Sequence, residues 1–154
     1  KDGEYDIKNI CDIGCGDWEF SRFIDFSDFN YTGIDENKNL YQKDNISFIH
    51  KTIGNNYIPE GYDLVILKDV IQHWTNEDIL KWLPDILEKN KYVFITNGFK
   101  YMRKPENNNL KRDINNRYRY HPVDINKYPL IKFKDICLMS EEYFLKQMNL
   151  LHLK

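Results

Sequence analysis

The chain has 154 residues, of which 42% are hydrophobic and 15% aromatic, so it is long and apolar enough to form one globular domain with a real core. Its formal net charge of -2 argues against a dedicated nucleic-acid-binding protein, in which a clear basic excess is expected. No run of about 18 apolar residues and no basic-then-apolar leader is visible, so neither a membrane span nor a signal peptide is predicted.

The first predicted element is a buried strand that leads into a glycine turn. The apolar residues Ile10, Cys11 and Ile13 favour the strand. Gly14 and Gly16 follow it directly, and glycines at this point allow the backbone to bend sharply and to approach a ligand closely.

The next elements are a helical segment and two more strands. The segments "YTGIDE" (31–36) and "ISFIH" (46–50) predict the second and third strands, and the second one ends in acidic residues. Between the first two strands, three apolar residues recur at helical spacing: Phe20, Phe23 and Ile24.

The middle of the chain predicts a strand, a helix and another strand. "YDLVILKDV" (62–70) is an apolar run typical of a central parallel strand that is covered on both faces. A helix is predicted over 75–89, with Thr75 as its N-cap and Asp78 in the capping-box position. "KYVFITN" (91–97) predicts a fifth strand. Five strands separated by helices or short crossings indicate an α/β domain with a mostly parallel sheet.

The rest of the chain contains a long polar segment and two closing strands. Residues 98–129 lack clear periodicity, and so long a loop inside a compact domain is usually functional or disordered. The segments "FKDICLM" (133–139) and "LKQMNLLHLK" (145–154) predict two closing strands, joined by a short turn or helix around 140–144. The whole of 1–154 is interpreted as a single domain, which is compatible with its being part of a longer protein.

The cysteines are odd in number and form no CxxC pair. The three residues are Cys11, Cys15 and Cys137, and they predict neither a disulfide framework nor a zinc site. A reducing cytoplasm is the expected location. Cys15 is interpreted as a small turn residue, since nothing nearby in the sequence suggests an activated thiolate.

The glycine turn does not match the common phosphate-binding patterns. A dinucleotide fingerprint needs a third glycine, where this chain has Glu19, and no GK[ST] sequence follows for a phosphate loop. Glu19 and Asp17 would repel a pyrophosphate. The pattern favours a ligand that is cationic or neutral at the turn and that carries a ribose for Asp35, about 20 residues further on.

The motifs "DIGCGDW", "GIDE" and "YDLVILKDVIQHW" resemble those of the class I S-adenosylmethionine-dependent methyltransferases, in the same order and over essentially the whole chain. The resemblance implies a Rossmann-like α/β fold with a mostly parallel seven-stranded sheet and helices on both faces. It also implies S-adenosylmethionine as the cofactor, without a metal.

The resemblance implies a role for residues at the carboxyl ends of four strands. In this family the acid before the glycines lies near the amino-acid part of the cofactor, the glycines let the backbone approach it, and the acid ending the second strand binds the ribose. The stretch after the third strand faces the adenine, and the end of the fourth strand lies by the methionine moiety. The residues concerned are Asp12, Gly14, Gly16, Trp18, Asp35, Glu36, Lys51, Thr52 and Lys68.

The chain departs from the family pattern at two places. Asp17 and Trp18 occupy the region where the family often has a third glycine, and the usual acid after the third strand is missing. Two interpretations of Trp18 stay open, because its indole could cap the cofactor pocket or pack the following helix against the core.

Asp69 and His73 are the candidate catalytic residues. Methyl transfer needs a base when the acceptor must lose a proton, and both residues follow the fourth strand, where family members place acceptors. Histidine is the residue type whose side chain ordinarily titrates near neutral pH, which suits His73 to the role of a base. The alternative is that His73 caps the following helix or packs against Trp74.

The segment from Lys100 to Arg119 is rich in basic residues. It contains Arg117 and Arg119, which are predicted to bind an anionic acceptor, such as the diphosphate of a nucleotide sugar, through charge-assisted hydrogen bonds. On this interpretation the loop 98–129 is a lid or acceptor loop. The alternative is a solvated connection whose charges serve solubility.

Three functions follow from these observations. The first is methylation of a small acceptor, with a sugar hydroxyl of a glycan or nucleotide sugar favoured. The second is a non-catalytic cofactor-binding module, fused to or associated with a larger glycan enzyme. The third is a methyltransferase of RNA caps or other nucleic acid, against which the net charge counts.

Overall fold

The computed structural model describes residues 6–19, 21–37, 45–54, 56–98, 130–132, 136–139 and 146–152. The strands are β1 (Asn9–Ile13), β2 (Asn30–Asp35), β3 (Ile46–His50), β4 (Leu64–Lys68), β5 (Tyr92–Gly98), β6 (Ile136–Met139) and β7 (Lys146–His152). Helix α1 spans Asn76–Lys89, and single 3₁₀ turns lie at Ser21–Phe23, Ile71–His73 and Leu130–Lys132.

The strands form one sheet in the order β3-β2-β1-β4-β5-β7-β6. Strands β1 to β5 pair in parallel, while β7 pairs antiparallel with both β5 and β6. The predicted mostly parallel α/β sheet is therefore confirmed. The strand order reverses between β1 and β4, and ligands of such sheets bind in the crevice at the carboxyl ends of strands beside this switch point.

Two hydrophobic cores lie on opposite faces of the sheet, because successive side chains of a strand point to opposite sides. In β1, Cys11 and Ile13 belong to a larger core, and Ile10 belongs to a smaller one. The larger core also includes the buried face of α1, formed by Ile79, Leu83, Ile86 and Leu87. The smaller core consists of Ile10, Trp18, Phe26, Tyr31 and Ile46.

Helix α1 begins with the predicted capping box. The Thr75 hydroxyl accepts the backbone N–H of Asp78 at 3.0 Å, and the Asp78 carboxylate accepts the backbone N–H of Thr75 at 3.0 Å. Two of the amide groups that a helix start leaves without partners are satisfied in this way.

The segment between β1 and β2 differs from the prediction. In place of a helix it contains the single 3₁₀ turn at 21–23, and Phe23 and Ile24 are 79% and 57% exposed. The Asp25 carboxylate accepts the N–H of Ser27 at 2.9 Å, and this local bond competes with continuation of a helix. The third residue of the pattern, Phe20, lies outside the described residues.

The closing part of the chain is described only in its strands. β6 and β7 fall within the two predicted closing strands at 133–139 and 145–154. The predicted turn or helix around 140–144 and most of the predicted loop 98–129 lie outside the described residues.

Candidate functional site

The glycine turn after β1 has the left-handed backbone that its residues suggest. Gly14 and Gly16 have φ angles of 72° and 61°. The N–H of Gly14 donates to the Ile34 carbonyl at 2.7 Å, which ties the turn to the end of β2. Gly16 has open space where a side chain would stand. The turn therefore presents accessible backbone at the carboxyl edge of β1 and β2.

Asp35 ends β2 directly beside this turn. Its Oδ2 accepts the N–H of Gly16 at 2.9 Å, and its Oδ1 accepts the backbone and side-chain N–H groups of Asn37 at 2.8 and 3.1 Å. The carboxylate is thus held in place between the glycine turn and the loop after β2. The structure brings together Gly16 and Asp35, which the sequence assigned to one cofactor site.

Asp12 lies inside the sheet, close to the same edge. It is 7% exposed, and the hydroxyl of Tyr31 donates to its Oδ2 at 2.5 Å. Burial raises the pKa of Asp12 to about 6, although the Tyr31 hydrogen bond and the charge of Lys68 act in the opposite direction. Asp12 is therefore largely ionised at neutral pH and can accept a hydrogen bond from a cationic group.

The end of β4 faces β1 across the switch point. Asp69 has a φ of 58°, a conformation that costs a residue other than glycine roughly 1 kcal/mol or more. Its N–H donates to the Thr96 carbonyl at 2.7 Å, and Lys68 Nζ lies 3.6 Å from its Oδ2. Strained residues of this kind cluster at functional sites. Lys68 and Asp69 occupy the edge where the sequence placed them.

His73 ends the 3₁₀ turn that follows β4 and has an exposed side chain. The cap of α1 is supplied by Thr75, so the alternative in which His73 caps the helix is not what the structure shows. Trp74 is 9% exposed and packs edge-on against Trp82, with ring centroids 5.2 Å apart. The role of His73 as a base stays a prediction.

Trp18 lies in the smaller core. It is 3% exposed, and its ring centroid lies 5.5 Å from that of Phe48, 5.7 Å from Tyr31 and 6.3 Å from Phe26. This position agrees with the packing interpretation, although no helix of more than one turn is described next to it. A contact of Trp18 with a cofactor stays a prediction.

The thiol of Cys15 lies in the glycine turn. Burial, together with the charges of Asp12 and Asp35, raises its pKa to about 12. A thiol with so high a pKa is protonated at neutral pH and is a poor nucleophile. Cys15 therefore fits its interpretation as a small turn residue.

The stretch after β3 adjoins the loop that carries Glu36. Lys51 and Thr52 are exposed, and Lys51 Nζ lies 4.5 Å above the ring of Tyr57. His50 Nε2 lies 2.7 Å from the Glu36 carbonyl, and since a carbonyl only accepts, this nitrogen carries the proton. Sequence reasoning missed this contact, for which the signal was a histidine ending a strand beside the acidic end of β2.

The predicted acceptor-binding residues, Arg117 and Arg119, lie outside the described residues. Within the described ranges, no group of three or more His, Cys, Asp or Glu side chains could hold a metal ion. In the same part of the chain, every helix is too short or too polar to cross a bilayer.

No protein-family model and no curated protein matches the chain. Solved structures do match. The S-adenosylmethionine-dependent methyltransferase SibL in its apo form is 15% identical, with a TM-score of 0.64 over 96% of this chain and 50% of its own.

Two further solved structures agree. Magnesium protoporphyrin IX methyltransferase (ChlM) from Synechocystis PCC 6803, with bound S-adenosylhomocysteine, is 14% identical, with a TM-score of 0.62 over 94% of this chain and 73% of its own. The bifunctional kinase-methyltransferase WbdD is 17% identical, with a TM-score of 0.58 over 94% of this chain and 34% of its own.

These likenesses establish the fold. The chain has the Rossmann-like α/β fold found in S-adenosylmethionine-dependent methyltransferases, as its motifs predicted. It spans half the length of the SibL chain and about a third of the WbdD chain.

Proposed function

We propose that the chain is the catalytic domain of an S-adenosylmethionine-dependent methyltransferase that acts on a small acceptor, with a sugar hydroxyl of a glycan or nucleotide sugar as the favoured group. The observation that carries the proposal is the hydrogen bond between Gly16 and Asp35, 2.9 Å long, at the carboxyl edge of a mostly parallel sheet beside its switch point. We also propose the full class I arrangement, in which helices cover both faces of the seven-stranded sheet.

The residues at the switch point fit S-adenosylmethionine. Gly16 leaves open space beside the turn, Asp35 offers a fixed carboxylate for ribose hydroxyls, and Asp12 offers a buried carboxylate for an ammonium group. Glu36, Lys51 and Thr52 would lie around the nucleoside, and Lys68 near the carboxylate of the methionine part. When bound, this cofactor supplies an electrophilic methyl group on a sulfonium centre.

The residues after β4 would act on the acceptor. An acceptor hydroxyl forms its bond to carbon as the carbon–sulfur bond breaks, and it must lose its proton in the process. His73, which is exposed, or Asp69 would take that proton. The strained backbone at Asp69 supports a role for this position.

An anionic acceptor would be bound by Arg117 and Arg119 in the loop 98–129. The support for this part is the charge of the loop, together with its place after β5, whose carboxyl end lies on the same edge as that of β4. Neutralising both arginines should raise the KM for a phosphorylated acceptor and leave cofactor affinity nearly unchanged. Unchanged acceptor kinetics would favour the solvated-connection alternative.

Two other functions can be distinguished by measurements of cofactor binding, turnover and the salt dependence of binding. A non-catalytic module would bind cofactor without turnover, and the occurrence of this fold within a bifunctional kinase-methyltransferase supports the idea of a larger parent protein. A nucleic-acid methyltransferase would bind its substrate with a steep salt dependence. The cytoplasm remains the proposed location, supported by the free thiols of Cys11 and Cys15.

The first experiment is calorimetric titration with S-adenosylhomocysteine. Asp35→Ala should weaken binding by roughly ten- to a hundredfold, because a hydrogen bond to a charged group contributes about 1.5 to 3 kcal/mol. Asp85→Ala, which removes an exposed acid of α1, is the matched control and should bind normally. Equal affinity of the Asp35→Ala variant and the wild type would overturn the assignment.

The second experiment measures turnover with candidate sugar and nucleotide-sugar acceptors. His73→Ala and Asp69→Asn should lower kcat far more than cofactor affinity, since a base acts only in the chemical step. If both variants keep full activity, neither residue is the base.

A further inference from the structure

Tyr31 makes a contact that no motif indicates. Tyr31 pairs with Ile10 in the sheet register, so its side chain lies diagonally across from Asp12 on the same face. From there its hydroxyl donates to Asp12 Oδ2 at 2.5 Å. Both residues are buried, at 1% and 7% exposure. The bond therefore joins two adjacent strands inside the protein, at the base of the glycine turn.

The ring of Tyr31 is held by aromatic neighbours. Its centroid lies 4.6 Å from that of Phe26, 5.7 Å from Trp18 and 6.3 Å from Phe48. A ring enclosed in this way has little freedom to turn, so the position of its hydroxyl is fixed. The hydroxyl in turn fixes the orientation of the Asp12 carboxylate.

In the part of the chain that the structure describes, the second oxygen of Asp12 has no such partner. Oδ1 of Asp12 accepts no hydrogen bond from the described residues. Unlike the side-chain oxygen of Thr96, which also lacks a partner among these residues, it is not fully buried. Oδ1 therefore keeps contact with solvent. The Tyr31 bond leaves this one carboxylate oxygen available at the edge that carries Gly16 and Asp35.

We propose that Tyr31 is a positioning residue for cofactor recognition: it holds Oδ2 of Asp12 so that Oδ1 receives the α-ammonium group of S-adenosylmethionine. This inference rests on the proposed function. Tyr31 does not itself touch the cofactor; it acts through Asp12. A hydrogen bond between an ammonium and a carboxylate is charge-assisted, and a fixed acceptor lowers the ordering cost of forming it.

The hydrogen bond between Tyr31 and Asp12 also influences the charge state of Asp12. The Tyr31 hydroxyl and Lys68 favour the ionised carboxylate, whereas burial and the charge of Asp35 disfavour it. Burial and the charge of Asp12 raise the pKa values of the Cys11 and Cys15 thiols, so both thiols stay neutral near this carboxylate. Removing the hydroxyl should therefore raise the pKa of Asp12 and weaken binding of a cation most at mildly acidic pH.

The test compares two ligands on Tyr31→Phe, which keeps the ring and removes the hydroxyl. S-adenosylhomocysteine carries the α-ammonium group, and 5′-methylthioadenosine keeps the nucleoside and the thioether without the amino-acid part. The variant should bind S-adenosylhomocysteine about tenfold more weakly, which corresponds to about 1.4 kcal/mol, and 5′-methylthioadenosine with less than about twofold change. The loss should be larger at about pH 6 than at about pH 8.

Two controls separate positioning from general loosening of the fold. Tyr92→Phe changes a tyrosine at the opposite, amino end of β5 and should leave both affinities unchanged. In an Asp12→Asn background, Tyr31→Phe should cause no additional loss of S-adenosylhomocysteine affinity. Equal weakening of both ligands, or no weakening of either, would overturn the proposal. Wild-type protein that binds neither ligand would instead overturn the proposed function and this inference with it.

Discussion

Val70 fills the space in which a side chain of Gly14 would lie. A Cβ atom built on Gly14 would stand 2.6 Å from Cγ2 of Val70, well inside van der Waals contact. Gly14 follows β1 and Val70 follows β4, so the turns after these two strands pack against each other at the switch point. Gly14 is thus required by its φ of 72° and by the packing of β4 against the turn.

Gly14→Ala should therefore destabilise the protein more than Gly16→Ala. Both substitutions place a Cβ at positive φ, which costs roughly 1 kcal/mol, but only the first adds overpacking, which costs about 1 to 3 kcal/mol. Urea unfolding of the two variants measures the difference. Adding Val70→Ala should recover part of the Gly14→Ala loss; equal stability of the two single variants would contradict the packing argument.

Asp63 should make the start of β1 sensitive to acid. Its Oδ2 accepts the backbone N–H groups of Asn9 at 2.8 Å and Lys8 at 3.0 Å, and these bonds lower its pKa. A carboxyl group whose pKa is lowered by folding stabilises the folded state at pH values above its ordinary, unfolded-state pKa. That stability is lost as the pH falls through the folded-state pKa. Thermal unfolding of Asp63→Asn should show a lower Tm at neutral pH and a smaller decrease in acid. Asp85→Asn is the control. The prediction would be contradicted if the Tm of Asp63→Asn fell in acid as much as the Tm of the wild type.

Asp12 should have the opposite pH dependence. Its pKa is raised from 3.8 to about 6, mainly by burial. The folded state therefore binds the proton more tightly, and this contribution to stability is fully present below pH 3.8 and is lost as the pH rises through about 6. Asp12→Asn should remove that part of the pH dependence. The measurement is the difference in unfolding free energy between wild type and variant across this range, and a constant difference would refute it.

The capping box of α1 should contribute measurably to stability. Thr75→Ala leaves the N–H of Asp78 without its 3.0 Å partner and should cost about 1 kcal/mol. Thr75→Ser keeps the hydroxyl and should cost much less. Chemical denaturation of both variants gives the comparison, and indistinguishable midpoints would mean that the cap contributes nothing.

The backbone at Asp69 should tolerate glycine and reject β-branched residues. At a φ of 58°, Asp69→Gly relieves strain, whereas Asp69→Val places a branched Cβ in an unfavourable region. Asp69→Val should be at least about 1 kcal/mol less stable than Asp69→Gly. Both variants lose the carboxylate, so both should lose activity if Asp69 acts on the acceptor. Equal stability would show that the strain is relieved by local rearrangement.

Much of the sheet is predictable because its strands carry continuous apolar runs. The run at 62–70 becomes β4, and the capping pattern at Thr75 correctly marks the start of α1. The helix predicted around Phe23 was wrong for a physical reason. Helical spacing of apolar residues does not ensure burial, and a local side-chain hydrogen bond, here that of Asp25, competes with continuation of a helix.

The candidate site was predictable where backbone geometry restricts the choice of residue. Gly14, Gly16 and Asp35 were found because a tight turn and a ribose need those residue types at that spacing. Tyr31 and Val70 were not, because their roles depend on register between strands that are distant in sequence. Such contacts exist only in the folded sheet, so spacing along the chain does not indicate them.

The pairing of β1 with β4 also determines when the site can form during folding. Ile10 lies beside Leu64, so two strands that are far apart in the chain must meet before the switch point exists. A partly folded chain with only β1, β2 and β3 paired would contain Asp12 and Asp35 but would lack Lys68 and Asp69. Because closing so long a loop is slow, the protein should gain its affinity for ligand only after β1 and β4 have paired.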